Sequence, residues 1–542
     1  MEEMAASDYI SNSGINVPPN HLRIVMIRGA SSGKSSSGNT ILGKNAFDVT
    51  KIKQRATTCT KISHSVFEGT RLMVVDSPGW FYTHSLQDTN EMDKLEIEKS
   101  VNLCAPGPHT VLLVIPLIIY INAPYLTVVQ EHMSMFREEI WKHTIVLFTA
   151  RDWLGVKTVE ERMKSDEGLQ WIVNRCENRY HALNNKDDSD KTQAKELIEK
   201  IEEMWTGNED PYYKVDLGRA AQIEAEKEAG DKMAIRLKKI KERQLRVLKE
   251  LYGGERHLLT GIRIILVGQK CSGKSEVGNL ILSKYNFKKT LFRAWLEKSY
   301  QDQRSETCVK HEGDFDGVKV SVVETPGWFS DPSPPDWIKE EVLHGVSMCS
   351  PGPHIFLLVV PIFRAFKEKD LEALLEVLMP LTERVWRHCM VLFTWGYWLN
   401  DCPVENYIVR EGKVIQELLE KCGNRYHVLN PRRYDDPDQV KELFKQITVM
   451  VKQNGESFTS KTKKKISQKL PWRTIQKQEE WRKREQKLIE RVMKALAKEA
   501  EEPTGPFSTI AQSMDDFHIS DLGEDGSSEC GSFYTVPEST NS

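Results

Sequence analysis

The chain contains two copies of one sequence pattern, with their motifs in the same order. LRIVMIRGASSGKSSSGNTIL at residues 22–42 is matched by IRIILVGQKCSGKSEVGNLIL at residues 262–282. Residues 103–116 recur at 348–361, TIVLFTARDWL recurs as CMVLFTWGYWL, and CENRYHALN recurs as CGNRYHVLN. Corresponding residues are 240 to 248 positions apart, far longer than the period of a solenoid repeat. The 542 residues are therefore predicted to hold two tandem domains of one fold.

Apolar runs alternate with helix-like stretches in both copies. The predicted strands are IVMI, LMVVD, VLLVI and TIVLFT in the first copy, and RIILV, VSVVE, FLLVV and MVLFT in the second. Continuous apolar strands separated by helices are typical of a parallel sheet that is covered on both faces. Each copy is therefore predicted to be an α/β domain, with a mainly parallel sheet flanked by helices.

The pattern divides the chain into six segments. They are a disordered N-terminus (1–20), the first domain (21–206), a charged helical linker (207–259), the second domain (260–452), a basic and charged helical extension (453–502) and an acidic, Ser- and Gly-rich disordered tail (503–542). Within the linker, residues 220–251 predict one long, exposed or semi-exposed helix. The alternatives are a helix packed on its own domain and a coiled-coil arm, against which Gly230 counts.

The N-terminal sequence, the cysteines and the net charge indicate in which compartment the protein acts and which classes of partner it binds. The N-terminus lacks the basic and apolar regions of a signal peptide, and no run of 18 apolar residues occurs. Ten scattered cysteines without a C-x-x-C pair favour a reducing compartment, so we expect a cytoplasmic protein. The net charge of -3 predicts no nucleic-acid partner. Any contact with intracellular membranes would come from partners or from the basic run at 461–473, although a solvated helix start explains that run better.

A phosphate-binding loop follows the first strand of the second copy. Gly268, Gly273, Lys274 and Ser275 complete the pattern G-x-x-x-x-G-K-S between a strand and a helix. Such a loop directs backbone N–H groups and a helix N-terminus at phosphates, while its lysine neutralises them and its hydroxyl binds Mg²⁺. The second copy is therefore predicted to bind a nucleotide.

The first copy departs from this pattern at its first glycine. Arg28 stands where the second copy has Gly268, and Gly29 comes one residue late. If that position requires a positive φ, a side chain there costs about 1–2 kcal/mol. The loop could relax by using Gly29, or Arg28 could contact phosphate. We therefore expect nucleotide binding that is weakened or altered in the first domain.

A second phosphate motif follows a later strand in each copy. Asp76 and Gly79 form D-x-x-G in the first, whereas the second has Glu324 and Gly327. The carboxylate is expected near Mg²⁺ and the glycine N–H near the γ-phosphate. Glu324 would displace its carboxylate by roughly an ångström, a shift that catalytic geometry tolerates poorly. Tryptophan follows each glycine, where small GTPases often carry a water-orienting glutamine, so efficient hydrolysis is not expected.

The boxes A-P-G-P-H at 105–109 and S-P-G-P-H at 350–354, together with N-R-Y-x-x-x-N, resemble the GTPases of immunity-associated proteins (GIMAP). The tandem arrangement is similar to that of the multi-domain members. The resemblance implies Ras-like P-loop G domains that bind GTP or GDP with Mg²⁺. It also implies self-association through the G domains, as a homo-oligomer or as a pseudo-dimer within one chain, and weak hydrolysis that dimerisation stimulates. His109 and His354 could act at the site or cap a turn.

Three further positions carry over from the family's motifs. The base-reading aspartate of T-x-x-D is Asp152 in the first copy, but Tyr397 occupies its place in the second. The asparagine beside the base falls on Asn184, next to Asn185, and on Asn430. Counting back from the cysteine of T-x-x-C places the switch threonine at Ala56, beside Thr57 and Thr58, in the first copy and at Ser305 in the second.

The expected nucleotide-binding residues form one set per domain. They are Gly29, Ser32, Gly33, Lys34, Ser35, Ser36, Asp76, Gly79, Arg151, Asp152 and Asn184, and Gly268, Ser272, Gly273, Lys274, Ser275, Glu276, Gly327 and Asn430. Ser35, Asp76 and Ser275 are the expected Mg²⁺ ligands, and no catalytic residue is identified. The main hypothesis is a nucleotide-regulated, dimerising scaffold of immune cells with at most weak GTPase activity. The alternatives are an active GTPase, a pseudo-GTPase interaction module and an ATP-accepting domain.

Overall fold

The computed structural model describes residues 20–30, 32–49, 57–81, 84–155, 157–186, 190–252, 261–282, 307–328, 334–400, 402–430, 436–455 and 457–458. All of them belong to one compact unit, Met1–Thr462. The predicted C-terminal helix, the basic run and both predicted disordered ends lie outside the described residues, except for Asn20 and residues 453–455 and 457–458. None of the described helices is both long and apolar enough to cross a membrane.

The first domain is a six-stranded sheet with helices on both faces. Its strands are β1 (His21–Ile27), β2 (Lys61–Phe67), β3 (Thr70–Asp76), β4 (Thr110–Pro116), β5 (Thr144–Thr149) and β6 (Tyr180–Ala182). Its helices are α1 (Lys34–Leu42), α2 (Glu91–Asn102), α3 (Ala123–Met133), α4 (Val159–Lys164), α5 (Glu167–Arg175) and α6 (Thr192–Gly207). The strand order is β2-β3-β1-β4-β5-β6, and only β2 is antiparallel to its neighbour.

The second domain repeats this arrangement. Its strands are β7 (Gly261–Val267), β8 (Val309–Phe315), β9 (Val318–Glu324), β10 (Ile355–Pro361), β11 (Cys389–Thr394) and β12 (Tyr426–Val428). Its described helices are α8 (Lys274–Ile281), α9 (Asp336–Ser347), α10 (Glu368–Leu378), α11 (Val404–Glu411), α12 (Lys413–Lys421) and α13 (Asp438–Asn454). The order β12-β11-β10-β7-β9-β8, with β8 antiparallel to β9, is that of the first sheet.

The prediction of two mainly parallel α/β domains is confirmed, and all eight predicted strands form. The four strands that the sequence pattern missed lie at the edges of the sheets. β2 (KISHSVF) and β8 (VKHEGDF) are largely solvated and therefore lack a continuous apolar run. β6 and β12 have only three residues each, which is too short for a periodic signal.

Each sheet separates two apolar layers, because successive strand residues point to opposite faces. In the first domain, Val25 and Ile27 face helices α2, α3 and α5, whereas Ile24 and Met26 face α1 and α6. The second domain is layered in the same way, with α9 to α12 on one face and α8 and α13 on the other. Phe81 and Met92 of the first domain belong to the layer of α9 to α12, so the two domains share an apolar core.

The linker forms helix α7 (Leu217–Tyr252), which contacts both domains. Toward the first domain, Lys227 pairs with Glu96 at 2.8 Å, and both side chains are largely buried. Toward the second, Asp231 pairs with Arg410 at 3.1 Å and accepts a hydrogen bond from Asn406 at 2.7 Å. A packed helix was one of the alternatives, but its partners are both domains rather than its own alone. Gly230 does not interrupt the helix.

The two A/S-P-G-P-H boxes hold the chain that leaves each domain. Pro108 O accepts a hydrogen bond from Tyr213 N at 2.9 Å, and Pro353 O accepts one from Phe458 N at 2.8 Å. The glycine between the prolines is required by this contact, because a Cβ on Gly107 would overlap Tyr213 O and a Cβ on Gly352 would overlap Phe458 O. The box in the first domain therefore holds the segment around Tyr213, which precedes α7.

We predict that Gly107→Ala loosens the segment around Tyr213 and destabilises the chain by about 1–3 kcal/mol, as overpacking typically does. Amide hydrogen exchange should show faster exchange at Tyr213 and Val215, whose N–H groups bond to the box. Gly207→Ala is the matched control, because no atom lies within 4 Å of a Cβ placed there. Unchanged protection at Tyr213 in Gly107→Ala would contradict this role of the box.

Candidate functional site

The phosphate loops of the two domains have the same hydrogen-bonding pattern. Lys34 Nζ donates to Arg28 O and Gly29 O at 3.1 and 3.3 Å. Lys274 Nζ donates to Gly268 O and Gln269 O at 2.9 and 2.8 Å. Both lysines are 6% exposed, and burial lowers the pKa of Lys274. Each loop thus places a buried lysine at the N-terminus of a helix, as a phosphate site requires.

Two further features fix the shape of each loop. Gly33 and Gly273 have φ values of 92° and 96°, in the left-handed region that favours glycine. The threonine that ends β5 or β11 donates to the loop, from Thr149 Oγ1 to Ser32 O at 2.8 Å and from Thr394 Oγ1 to Ser272 O at 2.6 Å. Ser36 and Glu276 follow, half-buried, in the first turn of the helix. These threonines begin the T-x-x-D motif of the first domain and its counterpart in the second, here called the base motif. A hydrogen bond therefore joins the base motif to the phosphate loop in both domains.

The expected backbone strain at Arg28 is absent, because neither Arg28 nor Gly268 has a positive φ. Neighbouring atoms limit the side chain at this position instead, since a Cβ on Gly268 would lie 2.7 Å from Val359 O and 2.9 Å from Ser272 Oγ. Arg28 is accommodated with its guanidinium over the Tyr125 ring, 5.2 Å from the centroid, and is only 1% exposed. Its backbone carbonyl still accepts from the lysine, as Gly268 O does. The side chain is buried in the domain rather than directed at a phosphate.

The second domain has a small cavity on the corresponding side of its loop. It measures about 20 Å³, which is room for one water molecule, and its lining includes Gly268, Trp328 and Asp370. Asp370 occupies the position that Tyr125 has in the first domain. The two domains therefore differ at both positions, with Arg28 and Tyr125 in the first and Gly268 and Asp370 in the second.

Three oxygen donors converge beside the phosphate loop of the first domain. Ser35 Oγ and Thr57 Oγ1 donate to Asp76 Oδ2 at 2.6 and 2.9 Å. Burial raises the pKa of Asp76, against the opposing charge of Lys34. Asp76 Oδ1 is buried and has no hydrogen-bond partner among the described residues. Hydroxyl and carboxylate oxygens are the donors that Mg²⁺ prefers, so these residues fit that ion.

Spacing placed the switch threonine at Ala56, beside Thr57 and Thr58, and Thr57 is the described residue of this group whose hydroxyl contacts Asp76. Ala56 and Ser305 lie outside the described residues, so only the first domain can be assigned. In the second domain Ser275 Oγ donates to Glu324 Oε1 at 2.7 Å, nearly the same distance as in the Ser35–Asp76 pair. The longer side chain of Glu324 therefore still reaches the hydroxyl, and the expected displacement does not separate the pair.

The D-x-x-G glycine packs directly on the phosphate loop. A Cβ on Gly79 would overlap Ala30 N, and one on Gly327 would lie 2.6 Å from Lys270 N. The carbonyl of the next residue accepts a loop N–H at 2.7 Å in both domains, Trp80 O from Ala30 N and Trp328 O from Lys270 N. In this conformation one N–H group of each loop is bonded to the stretch between the D-x-x-G glycine and helix α2 or α9, here called the switch segment.

Trp80 and Trp328 are core residues, at 1% and 2% exposure. Trp80 stacks on His132 with a centroid distance of 4.2 Å. His132 bonds to Val128 O through Nδ1 and to the Thr89 hydroxyl through Nε2, and burial lowers its pKa to about 4. Trp80 is therefore a packing residue that contacts α3 through His132.

The base end of the site differs between the domains. In the first, Asp152 pairs with Lys186 at 2.5 Å, and Arg151 is exposed. Asn184 Oδ1 accepts from Lys186 N at 3.2 Å, whereas the Asn185 amide bonds to Ser37 and Thr40 of α1. Asn184 and Asp152 therefore both contact Lys186, whereas Asn185 is bonded to α1. In the second domain half-buried Tyr397 stands in place of the acid, with its ring 5.6 Å from Trp395.

A glutamine that the motif analysis missed holds this asparagine in both domains. Gln193 Oε1 accepts from Asn184 N at 2.9 Å, and Gln439 Oε1 accepts from Asn430 N at 2.8 Å. Each glutamine follows its asparagine by nine residues, and that repeated spacing was the available signal. Both glutamines position the base end of the site.

His109 and His354 lie at the opposite end of the sheet from the phosphate loops. Their Nδ1 atoms accept from Arg23 N and Arg263 N at 2.9 and 3.0 Å, where β1 and β7 begin. Burial lowers their pKa values to about 3 and about 4. Of the two roles left open, the structure supports the turn-capping one.

The switch segment of the first domain continues into the second domain. The Phe81 and His84 rings lie 4.8 and 5.1 Å from the Phe363 ring. Asp88 O accepts from Ala365 N at 2.9 Å, and its carboxylate pairs with Lys367 at 2.7 Å. Phe81, His84 and Asp88 lie in the sequence between the D-x-x-G motif and α2. The interdomain contact is therefore built from the segment that follows D-x-x-G.

The start of α2 contributes polar contacts to the same interface. Trp398 Nε1 donates to Asp93 Oδ2 at 2.9 Å, and Glu91 N donates to Glu411 Oε1 at 2.8 Å. Glu411 also accepts from Phe366 N at 3.1 Å, and burial raises its pKa to about 8. Trp398 lies in the turn that follows the altered base motif of the second domain, so that region serves as a docking surface.

We predict that Arg28→Met stabilises the chain by about 1–3 kcal/mol at neutral pH, because no side-chain nitrogen of Arg28 has a hydrogen-bond partner among the described residues. Burial lowers the pKa of Arg28 to about 9, so the folded chain carries the charge below pH 9. Above pH 9 the folded chain loses this proton before the unfolded chain does, and the advantage of methionine shrinks. Urea unfolding across pH measures this effect.

Arg71→Met is the control for that experiment, since Arg71 is exposed on β3 and its replacement should change the midpoint little. A lower midpoint for Arg28→Met than for wild type would show that the guanidinium is stabilised where it lies.

Comparison with known proteins adds the family. A model of the AIG1 family matches residues 22–232 and 262–479. GTPase IMAP family member 8 of Homo sapiens is 30% identical over 451 residues, 80% of this chain and 63% of that protein. Immune-associated nucleotide-binding protein 9 of Arabidopsis thaliana is 29% identical over 199 residues, 35% of this chain and 56% of that protein. The chain thus spans less than two thirds of either relative.

Among solved structures, Toc33 of Arabidopsis thaliana in complex with GDP and Mg²⁺ is 16% identical, with a TM-score of 0.30, and the match covers 36% of this chain and 89% of that one. The family match covers most of the chain in two separate copies, and each copy coincides with one sheet and its helices. The chain belongs to the AIG1 family, of which it carries two domains.

Proposed function

We propose that this chain is a guanine-nucleotide-regulated scaffold in which the first domain binds the nucleotide and the second is its docking partner. One observation carries the proposal: a single segment joins the phosphate loop to the interdomain contact. At one end Trp80 O bonds to Ala30 N, and immediately after it Phe81 packs on Phe363. A γ-phosphate that needs the Ala30 N–H would displace Trp80 and pull on Phe81. Nucleotide state and domain contact are thereby coupled.

The first domain carries the groups for guanine. Asp152 would accept hydrogen bonds from the two guanine N–H donors, and Asn184 would lie beside the base. Ser35, Thr57 and Asp76 would hold Mg²⁺, which supplies charge neutralisation at the phosphates. Lys34 and the N-terminus of α1 would bind the phosphate oxygens. The pattern matches the GTP-binding character of the family.

Hydrolysis is proposed to be weak. The position after D-x-x-G is the buried Trp80, whose indole stacks on His132 and cannot orient a water molecule. Appreciable turnover would need groups from a partner domain. The chain is therefore proposed to act through its nucleotide-bound conformation, in self-association and in immune-cell regulation. The name of the immune-associated nucleotide-binding relatives supports the immune part of this proposal.

The proposed site of action is the cytoplasm. Contact with intracellular membranes would come from partners or from the basic run at 461–473.

The second domain supports the alternative of a pseudo-GTPase interaction module. Its phosphate loop is intact, but Tyr397 replaces the base-reading acid, and Trp395 packs on Phe363 at 4.7 Å. Phe363 in turn receives Phe81 of the first domain. We propose that this domain retains phosphate binding with poor base selectivity, because its base region serves the interdomain contact.

We predict that Asp152→Asn weakens GTP and GDP binding to the full chain roughly 10- to 150-fold, the equivalent of about 1.5–3 kcal/mol for charge-assisted hydrogen bonds. ATP binding should change little. Titration with fluorescent nucleotides in Mg²⁺ measures both. Tyr397→Asn, at the same position of the second domain, is the matched control and should leave the guanine preference intact. A preference for guanine that survives Asp152→Asn would sink the assignment of the first domain as the guanine reader.

We predict that Phe363→Ala and Lys367→Ala, both in the second domain, raise the affinity of the first domain for a non-hydrolysable GTP analogue by about fivefold or more relative to GDP. Both changes remove contacts that hold the switch segment in place. Met379→Ser, an exposed change in the same domain, should have no effect. Equal affinity ratios in wild type and in both variants would show that the interface does not restrain the switch.

A further inference from the structure

A row of polar side chains leads from the phosphate loop of the second domain to the contact with the first. Gln269, the loop residue after Gly268, donates from Nε2 to Asp370 Oδ1 at 2.5 Å. Arg364 donates to the same oxygen at 2.8 Å, and Lys367 N donates to Asp370 Oδ2 at 2.9 Å. Asp370 is 1% exposed, so its carboxylate joins these three groups inside the domain. Gln269, Arg364, Lys367 and Asp370 are here called the relay.

The relay ends on the switch segment of the first domain. Lys367 Nζ pairs with the Asp88 carboxylate at 2.7 Å, and the N–H of Ala365, the residue after Arg364, donates to Asp88 O at 2.9 Å. Asp370 bonds to both Arg364 and Lys367, and it thereby holds both ends of the turn to which Asp88 is bonded. A displacement of Asp370 would therefore reach the first domain.

The first domain carries different residues at the four relay positions. Each of them lacks the charge or the amide of its counterpart, and they are Gly29, Ile119, Asn122 and Tyr125. The fold itself does not require the relay, because both domains have the same strand order and matching helices. The relay occurs in the domain whose turn receives the switch segment of the other. Four coordinated differences thus connect it with the interdomain contact rather than with the framework.

A phosphate ligand would act on the residues that flank Gln269. Lys274 Nζ donates to Gly268 O and Gln269 O at 2.9 and 2.8 Å, and Lys270 N donates to Trp328 O at 2.7 Å. The lysine and the loop N–H groups are what such a loop directs at phosphates. The cavity of about 20 Å³ beside this loop is lined by three members of the relay, which leaves them room to rearrange. Binding at the loop is therefore expected to shift Gln269 and to loosen the relay.

We propose that a nucleoside triphosphate in the phosphate loop of the second domain is an effector of the first domain. Its binding loosens the relay, weakens the hold on Asp88 and so raises the affinity of the first domain for GTP. ATP qualifies as well as GTP, because Tyr397 stands where the first domain has Asp152. The inference rests on the proposed guanine site of the first domain and the proposed base tolerance of the second, and it specifies how the second site regulates the first.

The test titrates the full chain in Mg²⁺ with a fluorescent, non-hydrolysable GTP analogue, with and without a saturating non-hydrolysable ATP analogue. Binding to the first domain is the part that Asp152→Asn removes. The ATP analogue should tighten this binding about fivefold or more, the scale of allosteric coupling. Competition at the first domain would weaken it instead, so the two effects have opposite signs.

Two variants separate the effector site from the relay. Lys274→Met removes the lysine of the second loop, so both the binding of the ATP analogue and its effect should be lost. Gln269→Leu removes the side-chain bond to Asp370, so its first domain should bind the GTP analogue as tightly without the ATP analogue as wild type does with it. Glu372→Gln, an exposed change in α10 two residues beyond Asp370, is the matched control and should respond as wild type does. Thermal unfolding of each variant checks that the fold is intact.

An ATP analogue that binds the second loop of wild type and leaves the affinity of the first domain unchanged or lower would overturn the inference. A gain that the ATP analogue still produces in Gln269→Leu would do the same. Absence of ATP-analogue binding also overturns it and leaves guanine binding by the first domain standing. If the first domain binds no guanine nucleotide, the proposed function fails, and amide exchange at Ala365 still tests the relay. Faster exchange with the ATP analogue supports the relay, and equal exchange contradicts it.

Discussion

The bond from Ala30 N to Trp80 O connects the phosphate loop of the first domain to the rest of the molecule. It forms because Gly79 has no side chain, so the strand end can lie directly on the loop. Trp80 stacks on His132, and Phe81 packs on Phe363 of the second domain. Phe81 and Met92 then pack in the apolar layer of the second domain. In the proposed function, a change at the phosphate loop reaches the second domain through three consecutive residues.

We propose that the two domains have different tasks on one framework. The first keeps the acid and the asparagine of a base site, and it tolerates Arg28 because that side chain leaves the loop and lies over Tyr125. The second keeps the glycine loop, but aromatic residues around its base motif pack against the first domain. The loss of the base-reading acid and the gain of an interdomain surface thus fall on the same turn. The linker helix forms ion pairs with both domains.

Much of the fold could be predicted from sequence, because central parallel strands are continuous apolar runs and the repeat supplied each motif twice. The edge strands could not, since one solvated face breaks the apolar run. At the site, the hydroxyl and carboxylate pairs followed from motif spacing, but Thr57 did not, because counting from Cys59 is off by one in this loop. The condition on which strain at Arg28 was expected, a positive φ, is not met, and the corresponding Gly268 is limited by a neighbouring carbonyl instead. The docking of Phe81 on Phe363 depends on how two domains pack, which no local pattern encodes.

Amide hydrogen exchange of the full chain tests the coupling between the nucleotide site and the interdomain contact most directly. The amides to follow are those of Ala365 and Glu91, which cross the interface, with GDP and with a non-hydrolysable GTP analogue. The account predicts faster exchange at both amides with the analogue than with GDP, and the loss of this difference in Asp152→Asn at nucleotide levels that saturate only wild type. Identical exchange in the two nucleotides, with both bound, would contradict it.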